Sequence, residues 1–324
     1  MKKLNYRRWL LVILFIAFFI MSIFIGVSKE MTIERLLSGD KRAWLILTES
    51  RWPRTMAIVL SASALSISGL IMQAISRNKY VSPSTSGTTD AAMLGILLSY
   101  LVLGSSSTLG RFIFAFIFAF ISSFFFMKFI SRLKHRDVIY IPLMGIMYGG
   151  ILSAFATMIA LSSDSMDLIN QLTHGQFTTI TKDNYYLLLI VIIPLVVAIF
   201  YANKFSLVSA GKDFAVNLGV NYNFVLTLGV LIVSLVSATT FITVGPLPFI
   251  GLIIPNIMSS LYGDNVGKTI IDVGLFGAVF VLINDIISRL IIYPSEISIS
   301  LTMGIIGAFI FLILIFKGGR HAKV

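Results

Sequence analysis

Apolar runs long enough to form membrane-crossing helices follow one another along almost the whole chain, separated by short polar stretches. We place them near 9–27, 55–76, 87–103, 110–131, 138–161, 184–203, 223–242, 246–262, 269–290 and 299–316. A hydrocarbon core about 30 Å thick calls for roughly 20 mainly apolar residues per helix. Lipid offers backbone polar groups no partner, so helices are the fold these runs can adopt. The expected class is an all-α integral membrane protein of about ten transmembrane helices. With 57% of the 324 residues hydrophobic and 12% charged, no stretch remains for a soluble domain. Residues 1–324 read as one transmembrane domain, with a first outer loop at 28–54 and a long inner loop at 204–221.

The first run follows Lys2, Lys3, Arg7 and Arg8, is longer than a typical signal-peptide core and ends without a small-x-small cleavage site, so it reads as an uncleaved span. An even number of spans puts both termini on one side. That side carries Lys2, Lys3, Arg7, Arg8, Lys317, Arg320 and Lys323, which makes both ends cytoplasmic. On this topology 16 of the 25 Lys and Arg residues fall inside, and six of the nine outside lie in the first outer loop: Lys29, Arg35, Lys41, Arg42, Arg51 and Arg54. The exception to the inside rule is local, and it centres on Arg51-Trp52-Pro53-Arg54.

The formal charge of +11 is scattered singly between spans, which fits membrane topology and not a nucleic-acid surface. Cys is absent, so thiolate metal sites, disulfides and cysteine nucleophiles are excluded. His135, His174 and His321 lie far apart in loops or the tail and make no metal cluster. The stretch Gly263 to Thr269 ends like a phosphate loop, but it has three residues between its glycines where four are needed, and it follows an apolar helix. With no catalytic constellation either, the chain reads as a non-enzyme with no cofactor and no resident metal.

Three features remain. Asp285 and Arg289 stand at i, i+4 near the outer end of a span, where they either pair locally or receive a partner. Gly245, Pro246, Pro248, Gly251 and Pro255 interrupt the backbone across a span boundary, as a hinge, a pathway element or a plain tight turn. In the inner loop, Asp213 favours the start of a short helix and Gly219 supplies its left-handed end. Short helices are also expected at about 31–37 and within the outer segment 162–183. Ser61, Ser63, Ser66 and Ser68 read as helix-contact residues.

Together these elements resemble the permease subunit of binding-protein-dependent ABC importers for iron chelates and vitamin B12, the ten-span FecCD-type, type II importer fold. The resemblance runs nearly end to end. It rests on Arg51-Trp-Pro-Arg54, Gly69 and Gln73, Asn78, Ser82-Pro83 and Gly87, Ala215 with Leu218-Gly219-Val220, Gly245-Pro246 through Pro255, Asp285 with Arg289, and Glu296 with Gly307. The chain departs from the common pattern at Lys79, Asp90, Asn256, Ser298, Ser300 and Phe309.

The resemblance implies that Arg51, Arg54 and Arg289 receive acidic residues of an extracytoplasmic substrate-binding protein. Asp213, Ala215, Leu218, Gly219 and Val220 would couple to a separate cytoplasmic ATPase dimer. Asn78, Pro83, Gly87, Gly245, Pro246, Gly251 and Pro255 would serve as hinge or pathway, beside a second permease copy or paralogue. The implied function is import of a ferric siderophore through a bacterial cytoplasmic membrane. The wording around Ser82 to Asp90 is similar to a subgroup associated with catechol-type siderophores. A vitamin B12 or haem permease is the alternative within the family, and an ion-coupled secondary transporter the alternative outside it.

Overall fold

The computed structural model describes residues 2–26, 32–104, 107–133, 139–182 and 185–321. Several residues read above as loop or tail, among them Lys29, His135 and Lys323, lie outside the described residues, as do the expected span limits at 27, 138 and 184. In chain order the helices are α1 Lys2–Phe24, α2 Ile33–Leu37, α3 Lys41–Ile46, α4 Trp52–Ser76, α5 Thr88–Leu103, α6 Thr108–Ser131, α7 Tyr140–Ser162, α8 Met166–Thr173, α9 Ile192–Ser209, α10 Lys212–Asn217, α11 Tyr222–Thr243, α12 Ile250–Tyr262, α13 Val266–Leu290 and α14 Ile299–His321. The short helices α2, α8 and α10 fall where the polar segments predicted them.

Among the described residues, eight helical segments are long and apolar enough to cross a bilayer unaided. The other two expected spans, α5 and α12, have 16 and 13 residues. Both are shortened at their starts by backbone that cannot continue a helix: Gly87 at φ 74° precedes α5, and Gly245 at φ 84° with Phe249 at φ 65° precedes α12.

Two boundaries differ from the hydropathy reading. Helical structure runs without interruption over Lys41–Ser76, because the π-helical turn Leu47–Arg51 joins α3 to α4 and Asp40 caps the start, accepting the Arg42 amide at 2.9 Å. The charged residues of this stretch hide the helix from an apolar-run criterion. At the other end, α9 continues through Lys204 to Ser209; Lys204 folds its ammonium over the Tyr201 ring, 4.5 Å from the centroid, and so stays in an otherwise apolar helix.

Helix α4 is the centre of the molecule, packed on α9, α11, α12 and α13. Its small residues allow that crowding: Ala57, Ser61, Ala62, Ala64, Ser66 and Ser68 are fully buried. The serines behave as helix-contact residues, Ser61 and Ser66 bonding back to the Ala57 and Ala62 carbonyls and Ser63 donating across to the Gly274 carbonyl of α13 at 3.0 Å. Helices α1, α7 and α14 turn large apolar side chains outward, as lipid-facing helices do.

Candidate functional site

On the topology read from the charges, the structure brings Arg51, Arg54 and Arg289 together at the outer side. The π turn feeds α4 with Pro53 near its start, where the fixed φ of the ring suits the helix. Arg51 and Arg54 therefore lie one turn apart, facing Asp285 and Arg289 across the α4–α13 contact. The Asp285 carboxylate accepts from Arg54 Nη2 at 2.7 Å and from Arg289 Nη2, while Arg54 Nη1 donates to Glu296 Oε2 at 2.7 Å. Arg51 and Arg289 both donate to the Ile25 carbonyl at 2.7 Å, and Arg289 also donates to the Ser22 carbonyl at 2.9 Å. These carbonyls end α1, where the helix dipole is negative, so three guanidinium groups meet two carboxylates and a helix C-terminus.

The cluster is shielded. Arg51 and Arg54 are each 7% exposed, and Arg289 and Asp285 each 1%. Of the two roles open to Arg289, the local pair with Asp285 is formed, and Asp285 is shared with Arg54. Arg54 and Arg289 each retain a buried Nε–H with no acceptor among the described residues. Glu296 entered the sequence reading only through the resemblance; its partner lies 242 positions earlier, a pairing with no local signature.

In the middle of the bundle, Pro83, Gly245, Pro246 and Gly251 line one cavity of about 100 Å³ together with Thr89, Ser237 and Thr240. The backbones of Gly69 on α4 and Gly251 on α12 touch, and any side chain at Gly69 would meet the Gly251 carbonyl. Gln73 reaches the Leu252 carbonyl at 3.3 Å, holding the same contact. Gly87 packs against Tyr148 and Gly149 of α7 instead, and Pro255 is buried within α12. Asn78 lies apart from the cavity, toward the inner side, where its Oδ1 accepts the Tyr80 amide at 2.9 Å.

That inner side holds a larger cavity of about 310 Å³, lined by Gln73, Arg77, Asn78, Lys79, Ser209 and Asp264 among others. Lys79 pairs with Asp264 at 2.8 Å, and Asn256 donates to the Lys79 carbonyl at 2.8 Å, so two of the unusual residues of this chain support each other. Burial would raise the Asp264 carboxyl, but hydrogen bonds from Lys79 and Ser259 and the Lys79 charge outweigh it and hold it below the usual carboxylate value.

On the same inner side α10 packs on the bundle through α9 and α11. Ala215 is fully buried against it, whereas Phe214, Val216 and Leu218 are each more than half exposed. Asp213 lies in the first turn, favourable to the dipole. The end is a Schellman motif: Gly219, at φ 76°, donates to the Val216 carbonyl at 2.9 Å and Val220 to the Ala215 carbonyl at 3.0 Å. Sequence reasoning passed over Ser298 and Ser300 as mere departures. Ser298 Oγ donates to the Gly175 carbonyl at 2.8 Å, and Ser300 Oγ accepts from the Gly175 amide and donates to the Pro246 carbonyl, both at 2.7 Å.

Residues 10–317 match the family model described as the FecCD transport family. The chain is 45% identical over 320 residues to the petrobactin import system permease protein YclN of Bacillus subtilis, covering 99% of this chain and 100% of that protein. It is 33% identical over 299 residues to the ferric-anguibactin transport system permease protein FatD of Vibrio anguillarum, covering 92% and 95%. A solved metal-chelate type ABC transporter in an inward-facing conformation matches with a TM-score of 0.79 at 23% identity, over 98% of this chain and 100% of the other, a likeness of fold.

Proposed function

Since the chain belongs to the FecCD transport family and is a membrane permease subunit of an iron-chelate ABC importer, not an enzyme, we propose that its cargo is a ferric siderophore of catechol type, released into the cytoplasm. The family implies an ATPase and a substrate-binding protein as partners. In this reading a second permease, identical or paralogous, completes the path, with Pro83, Gly245, Pro246 and Gly251 at its wall, Asn78 and Gly87 at the helix ends around it and Pro255 as a hinge within α12. A loaded binding protein docks over Arg51, Arg54 and Arg289, and α10 seats in the ATPase.

The observation that most supports this mechanism is α10. Two exposed apolar side chains on this six-residue helix, Phe214 and Val216, and a third at its C-cap, Leu218, are unfavourable in water at the inner face and suit an apolar cleft on a partner. Asp213, Ala215, Leu218, Gly219 and Val220 set the helix's start, its buried anchor and its end. The cargo assignment draws support from relatives named for petrobactin and anguibactin transport. Uptake by the reconstituted permease, ATPase and binding protein, compared between ferric catecholates and labelled vitamin B12 or haem, tests it. Uptake without ATP would favour an ion-coupled carrier instead.

A further inference from the structure

Arg54 has two carboxylate partners of different character. Asp285 is 1% exposed and also bound by Arg289, a fixed member of the buried cluster. Glu296 sits in the connection between α13 and α14, its side chain is 15% exposed, and Arg54 is its one ion-pair partner among the described residues. A cavity of about 60 Å³ lies beside this pair, lined by Arg54, Gln176, Thr178, Glu296 and Ser298 among others.

The Glu296 connection is joined to the transport path by hydrogen bonds. The neighbouring Ile297 amide donates to the Ser288 carbonyl of α13 at 3.1 Å. Ser298 holds the Gly175 carbonyl, and Ser300 bridges the Gly175 amide to the Pro246 carbonyl at the wall of the central cavity. Gln176 adds a bond to the Val244 carbonyl at 2.9 Å. The outer cation and the proline turn are thus linked through Glu296–Ser300, which spans the end of this connection and the first residues of α14.

Resting on the docking reading above, we propose that Glu296 occupies on Arg54 the place that a carboxylate of the binding protein takes on docking. Its displacement releases the α13–α14 connection from α4 and loosens the Ser300–Gly175–Pro246 clasp over the path. A guanidinium presents paired donors to one carboxylate at a time on each edge, so the incoming acid competes with Glu296 and leaves Asp285 in place. An internal carboxylate also keeps the buried Arg54 compensated when no partner is bound.

The test uses the full permease–ATPase complex in nanodiscs and the loaded binding protein. Glu296→Gln removes the competing charge, so docking affinity should rise by about five- to tenfold, a typical range for one partly buried charge pair. Hydrogen exchange over residues 291–300 should increase on docking in the wild type and be raised already in Glu296→Gln. If the wild type docks, Arg54→Gln weakens docking, and Glu296→Gln leaves affinity and exchange unchanged or lowers affinity, the displacement is refuted while the docking reading stands. If Arg54→Gln docks like the wild type, the docking reading fails first. Should Glu296→Gln fold poorly, the exchange measurement on the wild type decides alone, since protection of 291–300 that is unchanged or greater on docking overturns the proposal.

Discussion

Arg54 and Asp285, 231 positions apart, are joined by a 2.7 Å hydrogen bond where Asp285 is 1% exposed. This pair fastens α4 to α13, and through Arg289 the same carboxylate reaches the end of α1. The charges that stand out in the sequence as an outer-side docking point are therefore also an internal fastening of three helices.

Removing Asp285 leaves the buried Arg289 without a carboxylate and Arg54 with Glu296 alone. Asp285→Ala should cost about 3–5 kcal/mol, the usual consequence of breaking a buried pair from one side. Fluorescence-detected unfolding in detergent checks this; a variant as stable as the wild type would contradict the fastening.

Gly69→Ala should weaken the α4–α12 crossing, because even a methyl group meets the Gly251 backbone. Overpacking of this kind costs about 1–3 kcal/mol. A loss of folded yield and uptake is expected, and Gly304→Ala is the control, as a side chain there meets nothing within 4 Å.

Gly219→Val leaves space unchanged, since nothing lies within 4 Å of an added side chain, but it forces a branched residue into φ 76°. The strain is about 1–2 kcal/mol, enough to unwind the end of a short helix. ATP hydrolysis should continue while uptake falls, measured on the same reconstituted complex. Normal uptake would remove α10 from the coupling path.

The inner Lys79–Asp264 pair has a defined pH window. A carboxyl held below its ordinary value contributes above the unfolded pKa, about 3.9, and loses that contribution as pH falls through the folded value. Between about pH 5 and 8 the pair is constant, so pH profiles of uptake for the wild type and Asp264→Asn should run parallel there. Diverging profiles would show that the pair switches in that range.

Most of the helices were legible because lipid imposes a length and an apolar composition on each. The Gly219 motif and the Asp285–Arg289 spacing were legible because both are local. The outer extension of α4 was not, since Lys41, Arg42 and Glu49 break the apolar run while the helix continues. Arg54 with Glu296 and Ser300 with Pro246 were also hidden, because such pairs depend on how α4, α12, α13 and α14 pack. Ser298 and Ser300 left one trace, as two of the positions where the chain departs from the common pattern of the resemblance.

The central claim is tested most directly by loading proteoliposomes that contain this permease and its ATPase with ATP, then adding a binding protein charged with a radio-iron catecholate. The account predicts accumulation of iron inside that requires ATP, the ATPase and the binding protein. Uptake that proceeds without ATP or the binding protein, or that carries vitamin B12 or haem and not the ferric catecholate, would contradict it.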